Sequence, residues 1–461
     1  MYAIPGLLGL IVFTYIRPQE FVPQIAGIPW INMWLLMIMG GFAIDIGTGK
    51  IRKEKTPTLF WSVVFYFWCF FTLAIRAPGE IAGKATQLTT GIGLSLVMQH
   101  AIQDMKTFKR VAVVVFVTAM FCVTVAFHQG FQDFQCLLQM PNEDPKEAPI
   151  SIPDGRGCAR IDDCLEEAGA KEGFEYMCEH VGLFGSTSIS TGRVRWRGVL
   201  NDPNETTLAA GTSIPLALAF FEIKRTLVRL LIVLATVVIV VITDVFSQSR
   251  GAIVVFMAVM GVYFVRKYGI RGGLVGAGMG APLMMLGGRS GSEADQSAQE
   301  RLEVMTEGLN MFLGSPIFGV GYTQFTKYSF LTAHNAYILA GAELGLFGFW
   351  VWTIIVYINM KNLIFAFKRY ANVPGADEIR AFALAIFASF CGTLIGIFFL
   401  SWTYHYVLWI WFGIGGGFYT TLRTTDPYFD VTPSKKEYAF LLGGCLAFMI
   451  GMRIYMKTKG H

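Results

Sequence analysis

The sequence predicts an all-α fold: a polytopic transmembrane helical bundle of roughly 12–13 spans with extracytoplasmic loops. Of its 461 residues, 54% are hydrophobic and only 15% are charged, whereas soluble proteins carry about 25% charged residues. Long apolar runs recur along the chain, and the polar connectors between them alternate between basic and nearly uncharged. This composition argues against a soluble enzyme, a nucleic-acid binder and a disordered scaffold.

The apolar runs give the predicted spans in chain order. Most are close to the length of about 17–25 residues that a helix needs to cross a bilayer. The predicted spans are 2–16, 29–46, 58–75, 86–104, 111–128, 205–221, 230–246, 251–265, 274–287, 334–358, 379–400, 406–421 and 438–455.

The charge of the connectors sets the orientation. Connectors on one side hold clusters of basic residues, such as Lys50–Lys55 and Lys224–Arg229, and short connectors on the other side are nearly bare. The positive-inside rule places the basic side and the N-terminus in the cytoplasm. Two long segments, 129–204 and 288–333, then lie outside the cytoplasm.

These assignments divide the chain into three parts. Residues 1–128 form N-terminal transmembrane helices, and 129–204 form an extracytoplasmic loop with four cysteines. Residues 205–455 form a C-terminal transmembrane region that includes the extracytoplasmic loop 288–333.

The four loop cysteines are Cys136, Cys158, Cys164 and Cys178. An even number in an exported loop predicts two disulfides, and all three pairings stay open. Zinc binding is the weaker interpretation, because the spacing is not CxxC.

The most informative stretch begins at His334, at the outer end of an apolar run. On a continuous helix, His334 would share one face with Ile338, Gly341, Gly345 and Gly348. Glycines on that face would let a neighbouring helix approach closely. Helix geometry alone leaves two interpretations: a catalytic histidine held at a fixed height, or an interfacial histidine above a packing seam.

His334-Asn335, nine further residues and then Gly345-x-x-Gly348 resemble the signature of the O-antigen ligase family. That family shares a superfamily with O-antigen polymerases and protein O-oligosaccharyltransferases. Three other stretches are similar to the superfamily pattern: Arg195–Asn204, Ser247–Gly251, and Arg301 followed by Gly314–Tyr322.

The resemblance implies roles for individual residues. Arg250 and Arg301 would clamp phosphate, because a guanidinium stays charged and binds phosphate oxygens bidentately. Arg195 or Arg197 would assist in substrate binding. From the residues alone, Arg250 could instead pair with Asp244, and Arg301 could be a solvated charge.

The resemblance also implies that His334 is a general base for the acceptor hydroxyl or orients that hydroxyl. Asn335 would bind substrate beside it. Three other polar groups have structural interpretations. Asp202-Pro203-Asn204 is a turn and helix start, Glu343 is a buried hydrogen-bonded group, and His405 belongs to an aromatic belt.

The implied function is a metal-independent membrane glycosyltransferase without a cofactor. Its donor would be an undecaprenyl-pyrophosphate-linked glycan, and its acceptor lipid A–core or another extracytoplasmic molecule, as in lipopolysaccharide biosynthesis. It would lie among the lipids of the bacterial inner membrane with its active site facing the periplasm, and no nucleic acid would be involved. A polysaccharide polymerase, a protein O-oligosaccharyltransferase, a transporter or flippase for lipid-linked sugars, and a non-catalytic scaffold are the alternatives. Sugar composition and oligomeric state stay open.

Overall fold

The computed structural model describes residues 1–140, 150–166, 170, 173–286 and 292–460. It is 72% helical, with 14 α-helices and three short strands among these residues. The strands form one small sheet. The predicted all-α polytopic class is confirmed.

The helices follow the apolar runs of the sequence. They are α1 (Ala3–Tyr15), α2 (Trp30–Gly47), α3 (Pro57–Arg76), α4 (Ile81–Ala101), α5 (Met105–Gln129), α6 (Ile161–Glu166), α7 (Pro203–Ile223), α8 (Leu227–Phe246), α9 (Arg250–Leu286), α10 (Ser292–Gly314), α11 (Ala336–Arg369), α12 (Asp377–Gly396), α13 (Tyr406–Thr425) and α14 (Lys435–Thr458).

Each predicted span falls on one of these helices, but the predicted number of spans is not confirmed. Within the described ranges, nine helices are long and apolar enough to cross a membrane, and α1 is a shorter apolar helix. The predicted spans 251–265 and 274–287 form one element, α9, which is interrupted at Gly269 (φ 73°). Residue 287 lies outside the described residues.

The predicted loop 288–333 contains a helix. Residues 287–291 lie outside the described residues, and α10 then runs for 23 residues from Ser292. Its composition is polar rather than apolar, because it includes the acidic run 293–300. The lack of apolar periodicity predicts a connector here. The segment is helical instead, because it packs against α11 and α14.

The four-cysteine segment is a small disulfide-bonded sheet. Its strands β1 (Phe134–Met140), β2 (Ile150–Gly157) and β3 (Glu175–His180) are antiparallel in the order β2-β1-β3. The disulfides join Cys136 to Cys164 and Cys158 to Cys178. The prediction of two disulfides is confirmed, and the structure selects one of the three pairings.

The helix α11 is interrupted at Gly345, which has φ 67°. A Cβ atom there would lie 2.2 Å from the carbonyl oxygen of Ile317, so no other residue fits without movement of the backbone. The loop before α11 fills the interruption: Leu346 N–H donates to the Pro316 carbonyl (2.7 Å), and Val320 N–H to the Ala342 carbonyl (2.9 Å). The glycine face predicted for one continuous helix is therefore divided.

Candidate active site

Arg250 and Arg301 line the same pocket, which has a volume of about 260 Å³. The pocket lies where α7 and α9 begin, beside α10 and the turn after α12. Its lining residues are Arg193, Asn204, Gln248, Ser249, Arg250, Gly251, Val254, Ser297, Ala298, Arg301 and Phe399. All the charged side chains among these described residues are arginines, so the pocket suits an anion with several oxygens.

Local sequence places the helix ends at this pocket. Asp202 caps α7 in a capping box with Glu205, and Pro203 takes the first helical position, which confirms the predicted turn and helix start. Asn204 then accepts a hydrogen bond from the Ser249 hydroxyl (2.5 Å). This bond joins the start of α7 to the residue before Arg250.

The alternative role of Arg250, as a partner of Asp244, is not supported. Asp244 is 1% exposed, and neither of its carboxylate oxygens has a hydrogen-bond partner among the described residues. Arg250 is exposed at the first position of α9 and lines the pocket. On α10, Ser297 and Arg301 are four residues apart and therefore share the face that borders the pocket.

His334 lies before α11 rather than on it, so the predicted helical phase of this residue is wrong. Its backbone has φ 47°, a left-handed conformation, and the helix begins two residues later at Ala336. The His334 N–H donates to the Ser401 hydroxyl oxygen (2.9 Å). The turn after α12 therefore fixes the histidine backbone.

The pKa of His334 is affected by burial and by the charge of Arg301, which lines the pocket. Burial lowers the pKa of His334 below its usual 6.5, and the positive charge of Arg301 lowers it further. The carboxylates of Asp202 and Glu300 act in the opposite direction. The net effect favours a neutral imidazole, which is the form that accepts a proton.

Asn335 is the N-cap of α11. Its side-chain oxygen accepts the N–H groups of Tyr337 and Ile338, both at 3.0 Å, and the residue is fully buried. A cap of this kind typically contributes about 1 kcal/mol to stability. These contacts give Asn335 a structural role: it caps the helix that begins directly after it.

Residues 207–353 match the family model described as O-antigen ligase. The chain carries an O-antigen ligase domain. The match covers less than half of the chain, and together with the nine apolar helices it supports a multi-pass membrane protein of the glycan-transferring type. No curated protein matches the chain.

The O-antigen ligase domain includes Arg250, Arg301, His334 and Asn335, and the other two predicted arginines precede it. Arg195 donates to the carbonyls of Thr187 (3.1 Å) and Asn201 (2.9 Å). Arg197 donates to the carbonyl of Phe184 (2.6 Å). Neither is among the described residues that line the pocket, and their contacts stabilise the backbone before α7.

The contacts of Glu343 and His405 are structural. The carboxylate of Glu343, inside the O-antigen ligase domain, accepts the N–H groups of Thr323 and Phe325, both at 2.9 Å. This confirms it as a buried hydrogen-bonded group. His405 contacts the Val199 carbonyl through Nε2 (2.7 Å) and stacks on Trp402, while burial lowers its pKa to about 4.

Two residues at the candidate site are not among those predicted from the sequence. Arg193 lines the pocket but lies before the Arg195–Asn204 stretch that resembles the family. Ser401 lies 67 residues after His334, in a connector that carries no charge. No local pattern marks either residue, because each reaches the site through a contact distant in sequence.

Proposed function

We propose that this protein is an O-antigen ligase that transfers a glycan from an undecaprenyl-pyrophosphate carrier to lipid A–core. The observation that carries the proposal is the position of Arg250 and Arg301 in one pocket. The lowered pKa of His334, caused first by burial and then by the charge of Arg301, is consistent with it. A site that cleaves a sugar–pyrophosphate bond needs positive charge at the leaving group and a base at the acceptor.

The proposed reaction uses His334 as the base. The neutral imidazole of His334 takes the proton of the acceptor hydroxyl, whose oxygen attacks the anomeric carbon of the donor glycan. The bond between that carbon and the pyrophosphate oxygen breaks, and the lipid pyrophosphate leaves with the electron pair. Direct displacement of this kind inverts the anomeric carbon and forms no covalent enzyme intermediate.

The arginines act on the leaving group. Each guanidinium remains charged and presents N–H donors in a planar fork that matches phosphate oxygens. Their charge is held in place before the reaction, so it stabilises the developing negative charge without reorganisation. In this proposal, Arg250 and Arg301 supply the charge that a divalent cation supplies in other phosphate chemistry.

The location proposed for the reaction is the periplasmic face of the bacterial inner membrane. The basic connectors favour a cytoplasmic position for the opposite side of the bundle. The two disulfides support an oxidising compartment for the segment beside the pocket, since such bonds are rare in the cytoplasm.

The pH dependence of transfer is a direct consequence of the His334 environment. Protonation of His334 removes the base, so kcat/KM should fall as the pH drops through its pKa, and the acidic limb should lie below pH 6.5. Arg301→Gln removes a charge that lowers this pKa, so the limb should move to higher pH. A pH profile of kcat/KM for the purified wild type and Arg301→Gln measures the position of the acidic limb in each. Arg250→Gln is the control: its rate should fall, but its acidic limb should stay at the wild-type pH. An unchanged limb in Arg301→Gln would contradict the coupling.

Deletion of the gene followed by analysis of surface glycans tests the proposed acceptor. Core lipid that lacks attached polymer is the result expected for an O-antigen ligase. Caps of a single repeat unit would identify a polymerase, and underglycosylated exported proteins would identify an oligosaccharyltransferase. If purified protein moved lipid-linked sugar across vesicles without forming a glycosidic bond, it would be a transporter and the proposal would fail.

A further inference from the structure

The segment 129–204, called the disulfide-bonded segment because it carries the two disulfides, contributes Arg193 to the pocket. This residue is 4% exposed, and its Nε donates to the Ser247 carbonyl (2.9 Å), three residues before Arg250. The next residue, Val194, donates its N–H to the Phe246 carbonyl (3.4 Å). Arg193 is thus bonded to the end of α8 and lines the same pocket as Arg250 and Arg301.

A tight turn precedes Arg193. Ile189 and Arg193 exchange two backbone hydrogen bonds of 3.0 and 2.9 Å. Between them Ser190 (φ 49°) and Thr191 (φ 63°) are left-handed without being glycine, a conformation that usually costs free energy. Contacts from outside the turn are therefore needed to hold it.

Glu179 provides these contacts. Its carboxylate accepts the N–H of Thr191 (3.0 Å), the N–H of Gly192 (2.9 Å) and the hydroxyl of Ser188 (2.5 Å). Glu179 is 3% exposed, and hydrogen bonds to a buried carboxylate are stronger than those between neutral groups. One side chain of β3 thus determines the shape of the turn that ends in Arg193.

The disulfides fix the position of Glu179. Cys178, the residue before it on β3, is bonded to Cys158 after β2, and Cys136 on the neighbouring β1 is bonded to Cys164 on α6. Gly192 packs closely on this sheet, since a Cβ there would lie 2.7 Å from the ring of Phe134. A continuous set of covalent and hydrogen bonds therefore links the disulfides to the pocket.

We propose that Arg193 is a third phosphate-binding arginine of the pocket, positioned by the disulfide-bonded segment through Glu179. The inference rests on the proposed function for its ligand, the pyrophosphate group of the donor. Three arginines line this one small pocket, and an anion with several oxygens can accept hydrogen bonds from their guanidinium groups.

Binding of radiolabelled inorganic pyrophosphate to the purified full-length protein tests this inference by equilibrium dialysis. Arg193→Gln should weaken binding at least about tenfold, the usual scale for loss of a charged hydrogen-bond donor. Arg193→Lys keeps the charge without the planar fork, so its affinity should be intermediate. Arg160→Gln, which removes an exposed arginine of the same segment, should bind like the wild type.

Glu179→Gln tests the positioning step, since it keeps the shape of the side chain and removes its charge. It should weaken pyrophosphate binding and raise the KM for the lipid-linked donor more than it lowers kcat. Ser188→Ala, which removes one of the three bonds, should give a smaller change in the same direction, and it serves if Glu179→Gln does not fold.

Wild-type affinity in Arg193→Gln would overturn the assignment of this arginine. Loss of affinity in Arg193→Gln, with none in folded Glu179→Gln and Ser188→Ala, would overturn the positioning role. Failure of the proposed function gives a different result: pyrophosphate would still bind through Arg193, but no glycosidic bond would form.

Discussion

His334→Ala is expected to reduce glycan transfer by about 10²- to 10⁴-fold, the usual contribution of a general base. The variant loses the proton acceptor for the acceptor hydroxyl, whereas the pocket lined by Arg250 and Arg301 is unchanged. Donor binding should therefore remain while product formation slows. Transfer from a lipid-pyrophosphate donor by purified protein, measured beside pyrophosphate binding, separates the two effects.

His334→Gln separates the two roles considered for the histidine. Glutamine can hydrogen-bond to an acceptor hydroxyl but does not take its proton at neutral pH. If His334 is the base, this variant should be as slow as His334→Ala, and if it only orients the acceptor, much of the rate should return. His128→Gln, which changes a partly buried histidine at the end of α5, is the matched control. Normal transfer by His334→Ala would disprove the catalytic assignment.

The helical part of the fold could be predicted from the sequence because each span carries its own apolar signal. The α10 helix lacked that signal, since its polar composition resembles that of a connector and its helical state depends on contacts with α11 and α14. The number of spans was also beyond prediction. One kinked helix and two short helices give the same apolar pattern on either side of Gly269.

The region around His334 shows why a helical pattern can mislead near a helix end. A helical phase for His334 requires one regular helix over 334–348. In the structure, the asparagine that follows His334 is a cap, and Gly345 has a positive φ that interrupts the helix. The glycines do allow close contacts, but with different neighbours: Gly341 faces Met449, whereas Gly348 faces Trp68.

Two of the three pocket arginines can be predicted from the sequence, because each lies beside a clear local pattern. Arg250 lies between two apolar runs, and Arg301 precedes a glycine-rich stretch. Arg193 has no such landmark, and its place in the pocket results from the Glu179 contacts and the disulfide pairing. The spacing of the residues does not predict the Glu179 contacts. It does not predict the disulfide pairing either, because four cysteines allow three pairings.

Arg250→Gln and Arg301→Gln are each expected to lower kcat/KM by about 10²- to 10³-fold, the scale for removing one fixed donor to a developing anion. Each variant keeps a polar side chain but loses the longer guanidinium group and its charge at the leaving pyrophosphate. Arg250→Lys and Arg301→Lys should recover only part of the rate, because the ammonium group does not bind two phosphate oxygens as a planar fork. Steady-state kinetics with a purified lipid-linked donor measure these losses.

The double variant gives the sharper test, because two arginines that hold one pyrophosphate act as a unit. When two residues act together, the fold loss in kcat/KM of the double variant is smaller than the product of the two single losses. The double variant should therefore be only slightly slower than the slower single variant. Arg225→Gln, at the far end of α7 from the pocket and exposed, should retain wild-type rates. Strictly multiplicative losses would mean that Arg250 and Arg301 act on different groups. Wild-type rates in both single variants would remove the pocket from the reaction.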